Sequence, residues 1–126
     1  MLIQDDKKLK DIQQKFRQKF PNLKLEFYSG RHESGEGSPI TEKLDSEQTI
    51  GSVRTIHKEG DLKVSPSMAV AEFEKKMLDT YGLNVQVFRK SGNLWMQTTS
   101  TDHWTLEQQN RKGGSSELHF KEKNTS

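Results

Sequence analysis

The sequence predicts one α+β domain, on three observations. The chain of 126 residues has the length of a single domain, which we expect to span 1–126. Segments with apolar residues at helical spacing alternate with short segments in which every second residue is apolar. Glycine and proline separate these segments. We therefore expect helices packed against a sheet.

Composition limits the classes of protein that remain. Hydrophobic residues make up 29% of the chain and charged residues 30%, which predicts a small core with extensive polar segments. The net charge of +2 comes from mixed signs, as in "DDKKLKD", and this pattern is typical of solvated helix faces. The absence of cysteine excludes disulfides and favours a cytoplasmic location. We expect no secretory signal and no membrane span.

The first segment, 5–20, predicts an amphipathic helix that Asp5 or Asp6 caps and Pro21 ends. Its apolar residues recur at helical spacing: Leu9, Ile12, Phe16 and Phe20. Residues 23–28, "LKLEFY", alternate and predict a half-buried strand.

The middle of the chain predicts a long loop and two short elements. Residues 29–47 are polar and glycine-rich, so we expect a flexible loop. Helical spacing of Ile50, Val53 and Ile56 predicts a short helix that ends at Gly60. The next segment, "DLKVSP", predicts a strand ended by its proline.

The segment 68–81 predicts the central helix, with Gly82 at its C-terminal cap. The following segment, "VQVFRKSGNLWMQT", predicts a β-hairpin with a two-residue loop at Ser91-Gly92. One face of the hairpin is apolar and should pack under the helix. Its residues are Leu83, Val85, Val87, Leu94 and Met96.

The C-terminal part predicts a short helix and a last strand. Thr105 and Gln108 have the spacing of a capping box, and we expect the helix to end at Gly113. "ELHFK" alternates as a strand would, and 122–126 should be a frayed tail.

Four stretches of the sequence together resemble the ubiquitin-like β-grasp pattern. They are "LKVSPSMAVAEFEKKM", "NVQVFRKSGNLW", "TLEQQN" and "SELHFK". The resemblance covers 62–121 plus the strand at 23–28. It implies a mixed sheet of four to five strands packed on the helix at 68–81, with the helix at 5–20 and the long insertion as additions. Gly113-Gly114 is internal, so chemistry at a C-terminal glycine is not supported. The sequence also resembles small bacterial proteins without an assigned activity, in the stretches "FPNLKLEFY", "HESGEGS" and "YGLNVQVFRKSGNLW". This resemblance implies no function.

The predicted hairpin places Phe88 opposite Trp95 on its polar face, between Gln86 and Gln97. An exposed aromatic pair of this kind can anchor an interface, and Arg89 would complete a polar rim. Alternatively, the helix at 5–20 covers both rings, which would then belong to the core.

Weaker candidate sites are also present. Trp104 precedes the capping box, where it either staples the helix start or contacts a ligand. His32 and Glu36 lie close together in a glycine-rich loop and suggest a metal or enzyme site. A small basic set, when combined with aromatic rings, suggests single-stranded nucleic acid. Its members are Arg89, Lys90, Arg111 and Lys112.

Together, these patterns predict a non-catalytic protein-interaction module that uses Phe88 and Trp95, with no cofactor and no bound metal. A single-stranded nucleic-acid binder is the first alternative, and a small enzyme or metal-binding protein using 32–36 is the second. We expect a monomer or weak dimer with an unidentified protein partner.

Overall fold

A computed structural model of the protein describes residues 1–30 and 42–124, with 116–124 described by their backbone alone. Its helices are α1 (Leu9–Lys19), α2 (Val70–Tyr81) and α3 (Leu106–Asn124). Its strands are β1 (Leu2–Ile3), β2 (Leu23–Tyr28), β3 (Gly60–Asp61), β4 (Asn84–Ser91) and β5 (Leu94–Gln97). One antiparallel sheet has the order β2-β4-β5, and β1 pairs with β3 in a second antiparallel sheet. The prediction of an α+β fold is confirmed.

The helices pack on one face of the three-stranded sheet. Alternation along β2 and β4 directs one set of side chains to that face, and all of this set are buried: Leu23, Leu25, Phe27, Val85 and Val87. They share one apolar core with Phe16 of α1, Phe73 of α2 and Leu106 of α3. The rings of Phe16 and Phe73 stack with their centroids 5.3 Å apart. The opposite face carries Phe88 and Trp95, and we call it the aromatic face.

The helix starts are joined in pairs by backbone hydrogen bonds. Val70 N–H donates to the Trp104 carbonyl, and Leu106 N–H donates to the Met68 carbonyl, at 2.9 Å each. At α1 the same pattern recurs, because Leu9 N–H donates to the Gln48 carbonyl. There the reciprocal bond runs from Ile50 N–H to the Lys7 carbonyl. These bonds satisfy N–H groups that the first turn of a helix cannot satisfy internally.

The predicted start of the first helix is wrong by four residues. The helix begins at Leu9, because Lys8 N–H donates to Asp11 Oδ2 at 2.9 Å and this bond caps the first turn. Asp5 does not act as the cap, since its carboxylate binds the guanidinium of Arg54.

The hairpin is confirmed, but its register is shifted by two residues. Ser91 pairs with Leu94, so the loop is Gly92-Asn93. Gly92 has φ of 65°, while Asn93 has no positive φ. A glycine with positive φ at the first loop position is the pattern of a type II′ turn, which matches the twist of a hairpin. A shift of two residues keeps every side chain on its predicted face. Leu94 and Met96 are nevertheless exposed, at 68% and 38%, instead of buried in the core.

The predicted helix at 50–60 is reduced to one 3₁₀ turn, Gly51–Val53. It cannot continue, because the backbone of Arg54 is extended and its side chain binds Asp5 and the Tyr81 carbonyl. The strand predicted from "DLKVSP" is limited to Gly60–Asp61, and it pairs with β1 instead of joining the main sheet. The main sheet therefore has fewer strands than the four to five predicted.

The capping box at the start of α3 is confirmed. Thr105 N–H donates to Gln108 Oε1 at 2.9 Å, and Gln108 N–H donates to Thr105 Oγ1 at 3.1 Å. The predicted stop at Gly113 and the predicted final strand are wrong, because α3 continues to Asn124. Of the predicted loop 29–47, residues 31–41 lie outside the described residues. Lys43 and Leu44 return to the end of β2, where Leu44 N–H donates to the Phe27 carbonyl.

The glycines of α3 permit close packing instead of ending the helix. A Cβ atom on Gly113 would lie 2.9 Å from the Asn22 carbonyl oxygen. Asn22 N–H in turn donates to Asn110 Oδ1 of α3 at 2.8 Å, so this part of the chain cannot move away freely. Gly113 therefore lets α3 approach the turn before β2.

We predict that Gly113→Ala lowers the free energy of unfolding by about 1 to 3 kcal/mol through overpacking, although alanine favours helix. Urea denaturation measures the change. Lys112→Ala, at an exposed position of the same helix, is the control and should stay within about 0.5 kcal/mol of wild type. A Gly113→Ala protein at least as stable as wild type would contradict this packing.

Candidate functional site

The aromatic face places two large rings on neighbouring strands. Phe88 lies on the central strand β4 and pairs with Gln97, while Trp95 lies on the edge strand β5 and pairs with Lys90. The predicted direct Phe88–Trp95 pair is therefore absent. Both rings are half-buried, so part of each ring is available for contact.

Three cations surround the indole of Trp95. The guanidinium carbon of Arg17 lies 4.9 Å from the ring centroid, and the Nζ atoms of Lys24 and Lys90 lie at 5.2 and 5.6 Å. Lys24 Nζ is also 5.4 Å from the centroid of Phe88, so this one cation contacts both rings. Each contact of this kind contributes about 0.5 to 1 kcal/mol at an exposed position. The cations are thus held in place by the rings and still face solvent.

Helix α1 does not cover the aromatic face with its apolar stripe. Ile12 and Phe16 are buried in the core on the other side of the sheet, where Phe16 stacks on Phe73. The alternative in which this helix seals both rings is wrong. The helix instead lies along the outer side of β2, where Gln13 Nε2 donates to the Leu25 carbonyl at 2.9 Å. From this position the helix places Arg17 beside the ring of Trp95.

A groove of about 570 Å³ between α1 and β2 continues from the rings. Arg17 and Lys24 line the groove and also contact Trp95, so the groove and the rings form one surface. Lys24 forms an ion pair with Glu26, with Nζ 3.4 Å from Oε1. Arg17 makes no ion pair with any residue that the structure describes. Within the described part of the chain, its charge is therefore held by the ring of Trp95 and is available to an anion.

Two of the predicted rim residues lie elsewhere. Gln86 is completely buried, and its amide lies 3.4 Å from Glu74 Oε2 of α2. The same carboxylate accepts the Val87 N–H at 2.9 Å. The strand β5 pairs with β4 only from Phe88 onward, so Glu74 takes the place of a strand partner at Val87. Arg89 is on the opposite face of the sheet, where it donates to Gln109 Oε1 at 2.9 Å. Gln97 alone of the predicted rim lies half-exposed beside Phe88.

Among the remaining weak candidates, Trp104 does not join this surface. Trp104 is half-buried at the start of α3, with the guanidinium carbon of Arg89 5.7 Å from its ring centroid. Burial lowers the pKa of the Arg89 guanidinium. His32 and Glu36 lie outside the described residues. In 1–30 and 42–115, no group of three histidine or acidic side chains is arranged to bind a metal.

A polar cluster that the sequence did not suggest links three separate segments. Asp5 Oδ1 accepts hydrogen bonds from Arg54 Nε and Nη2 at 2.9 and 2.7 Å, and Asp5 Oδ2 lies 2.9 Å from His57 Nδ1. Arg54 Nη1 also donates to the Tyr81 carbonyl at the end of α2. The Arg54 side chain has no exposed surface. The cluster therefore ties the N-terminal segment to α2 and has a structural role.

No protein-family model, curated protein or solved structure matches this chain. The β-grasp resemblance and the likeness to small bacterial proteins therefore stay predictions. Within the described ranges, none of the helices combines the length and apolar character needed to cross a membrane.

We predict that Asp5→Asn reduces the loss of stability in acid. The hydrogen bond from Arg54, with a smaller contribution from His57, holds the pKa of Asp5 below its ordinary value of 3.8. The charged pair therefore stabilises the fold above about pH 3.8, and this contribution is lost as the pH falls through the lowered pKa. Urea unfolding at stepwise pH from neutral to acid measures it.

The Asp5→Asn protein should be less stable than wild type at neutral pH, because the buried Arg54 loses its carboxylate. The two curves should converge in acid. Asp79→Asn serves as the control, since that carboxylate pairs with Lys75 on an exposed helix surface. Parallel curves for wild type and Asp5→Asn would show that Asp5 carries no such linkage.

Proposed function

We propose that this protein is a non-catalytic protein-interaction module that captures an acidic segment of a partner on its aromatic face. The observation that carries the proposal is the set of three cations within 4.9 to 5.6 Å of the Trp95 centroid. Rings and cations of this kind supply contact area and charge. Binding is therefore the function that this surface supports best.

The charge on the aromatic face favours an acidic partner over an apolar one. An apolar surface placed on Trp95 would remove water from Arg17, which makes no ion pair with any described residue, and an uncompensated buried charge is costly. Carboxylates would replace that water and pair with the cations. The half-buried rings would anchor the contact, since aromatic residues and arginine dominate interface energies. We therefore expect glutamate and aspartate beside apolar side chains in the partner.

The groove between α1 and β2 suggests the direction of the bound segment. A segment that contacts Trp95 can continue past Arg17 into this groove, which Lys10 also lines. Pairing with the free side of the edge strand β5 is a second route for an extended segment. Both routes begin at Trp95, so the ring is common to them.

Single-stranded nucleic acid is the second candidate, favoured by the position of Lys24 between two rings. Its Nζ lies 5.4 Å from the Phe88 centroid and 5.2 Å from the Trp95 centroid. Aromatic side chains on an antiparallel sheet can stack bases while lysines contact phosphates. We also propose that the protein is cytoplasmic, that it is a monomer or weak dimer, and that its fold is related to the β-grasp.

We predict that the combined variant Arg17→Gln/Lys24→Gln/Lys90→Gln weakens binding of fluorescent poly-glutamate about tenfold, because three attractive contacts are removed. The matched control Lys63→Gln/Lys75→Gln/Lys112→Gln removes the same charge from exposed positions away from the aromatic face. Equal losses in both variants would mean that net charge alone attracts the probe.

Binding of oligothymidylate, measured in parallel at rising salt concentration, decides between the two candidate functions. Tighter binding of oligothymidylate than of poly-glutamate, with a steeper salt dependence, would favour nucleic acid.

We also predict that Phe88→Ala/Trp95→Ala loses a protein that the wild type captures from native lysate, because the ring anchors are removed. Trp104→Ala is the control, as it removes an indole from the other side of the sheet. Circular dichroism must first show that all three proteins are folded. Nuclease treatment that removes the captured band from wild type would assign the interaction to nucleic acid. Capture unchanged in the double variant would contradict the proposed site.

A further inference from the structure

The two edges of the three-stranded sheet differ in how far they are closed. At the outer edge of β2, Gln13 Nε2 donates to the Leu25 carbonyl at 2.9 Å, and Leu44 N–H donates to the Phe27 carbonyl at 2.8 Å. At the other edge, β5 pairs with β4 alone among the strands that the structure describes. In this part of the chain, the sheet therefore has one closed edge and one open edge.

The backbone groups of Trp95 point to the open edge. In an antiparallel pair of strands, residues that exchange both hydrogen bonds alternate with residues that exchange none. Ser91 and Leu94 flank the two-residue loop and exchange both bonds, so Trp95 belongs to a pair that exchanges none. Its N–H and C=O are directed away from β4, and no described residue bonds them. An extended segment beside β5 can form two backbone hydrogen bonds with this residue.

The helix side of β5 carries two large apolar side chains in solvent, Leu94 and Met96. They flank Trp95 along the strand, so a segment paired with Trp95 places its own side chains beside both. Apolar side chains at those positions would remove Leu94 and Met96 from water, which is favourable. The Arg89 guanidinium on this side is already engaged with Gln109 and with the ring of Trp104. A segment confined to the groove between α1 and β2 would leave Leu94 and Met96 exposed.

Strand β5 lacks the sequence features that commonly protect a sheet edge. Natural edge strands often carry charged residues, above all lysine, or a proline or a bulge that prevents further pairing. The residues of β5, "LWMQ", include no charge and no proline, and all four pair with β4 without a bulge. These residues therefore do not oppose the addition of another strand.

The cations on the aromatic face indicate which occupant fits this edge. The guanidinium carbon of Arg17 and the Nζ of Lys24 lie 4.9 and 5.2 Å from the Trp95 centroid. An added strand would lie about 4.8 Å from β5, so a carboxylate opposite Trp95 would be roughly one Debye length, about 10 Å, from these cations. A second copy paired through β5 would instead bring two such sets of cations together, which is unfavourable. The charge therefore favours an acidic segment.

We propose that β5 accepts an extended partner segment as an additional strand, with an acidic residue opposite Trp95 and an apolar residue on either side of it. This inference rests on the proposed function, since it specifies how the acidic segment binds. Pairing with Trp95 supplies backbone hydrogen bonds, and the flanking apolar residues cover Leu94 and Met96.

A capped heptapeptide in which valine and glutamate alternate is the probe. The same peptide N-methylated at its glutamates is the matched control, because it keeps every charge and side chain and lacks the N–H groups that would pair with β5. Titration of ¹⁵N-labelled protein gives affinity and location, and the exchange rate of the Trp95 amide hydrogen reports pairing. We expect the unmethylated peptide to slow this exchange, and the methylated peptide to bind about tenfold more weakly without slowing it.

A pair of variants tests the contacts on the helix side. Leu94→Gln/Met96→Gln should weaken binding of the unmethylated peptide about tenfold, because the apolar contacts are lost. Leu2→Gln/Ile56→Gln removes two exposed apolar side chains elsewhere and should leave the affinity unchanged. The comparison of the two peptides on wild type needs no variant, so it decides the question even if a variant fails to fold.

Equal affinity for the two peptides, with unchanged exchange at Trp95, would overturn strand pairing. If that binding still falls in Arg17→Gln/Lys24→Gln/Lys90→Gln, the proposed function survives the loss of this inference. Slowed exchange at Trp95 in protein alone, at rising protein concentration, would assign the edge to a second copy and overturn the acidic partner. Failure of both peptides to bind at millimolar concentration would overturn the inference, and failure of poly-glutamate as well would overturn the proposed function with it.

Discussion

The reciprocal pairing of helix starts is the constraint on which the remainder of this fold depends. Helices that begin inside a protein expose N–H groups that must find acceptors. Here the first N–H of α2 donates to the carbonyl of Trp104, two residues before the first residue of α3, and the first N–H of α3 donates to the carbonyl of Met68, two residues before the first residue of α2. Lys7 to Lys10 pair with 46–50 in the same way. Two helices that share their starts must lie on the same side of the sheet, so these bonds direct α2 and α3 to one face.

The paired starts also reveal a repeat that the residue identities conceal. The buried apolar positions of α1 and the residue that follows it are Leu9, Ile12, Phe16 and Phe20, and those of α2 are Val70, Phe73, Met77 and Tyr81. Both sets have increments of three, four and four residues, and each is followed by apolar residues that are buried at alternate positions. These are Leu23, Leu25 and Phe27 of β2, and Val85 and Val87 of β4 with Leu83 just before it. The connection is one residue shorter after α2, where Gly82 adopts φ of 68°. The central pair β2-β4 is therefore built from two similar helix–strand units in antiparallel register.

Elements whose signals are local were predictable from the sequence, and those that depend on tertiary contacts were not. The strand at 23–28, the helix ending at Gly82 and the capping box at Thr105 follow from residues within a few positions of each other. In the sequence, Gly113 resembles a helix stop. Only the structure shows that its role is to leave space for Asn22 beside the helix. For the candidate site, alternation alone placed Phe88 and Trp95 on one face. Arg17 could not be predicted to join them, since its contact depends on how α1 lies along β2.

The exposure of β5 explains why the surface that we propose for binding can lie open at this end of the sheet. Leu94 and Met96 point to the helix side of the sheet, yet both are exposed, so the helices do not extend far enough to cover this strand. Strand β5 therefore adds little to the apolar core. Covering its other side, which carries Trp95, would also stabilise the fold little. Trp95 is instead held by Arg17 from one helix–strand unit and by Lys90 from the other. A ring fixed by cations from both units keeps its orientation without a hydrophobic cover, which is what a preorganised contact site for an anion requires.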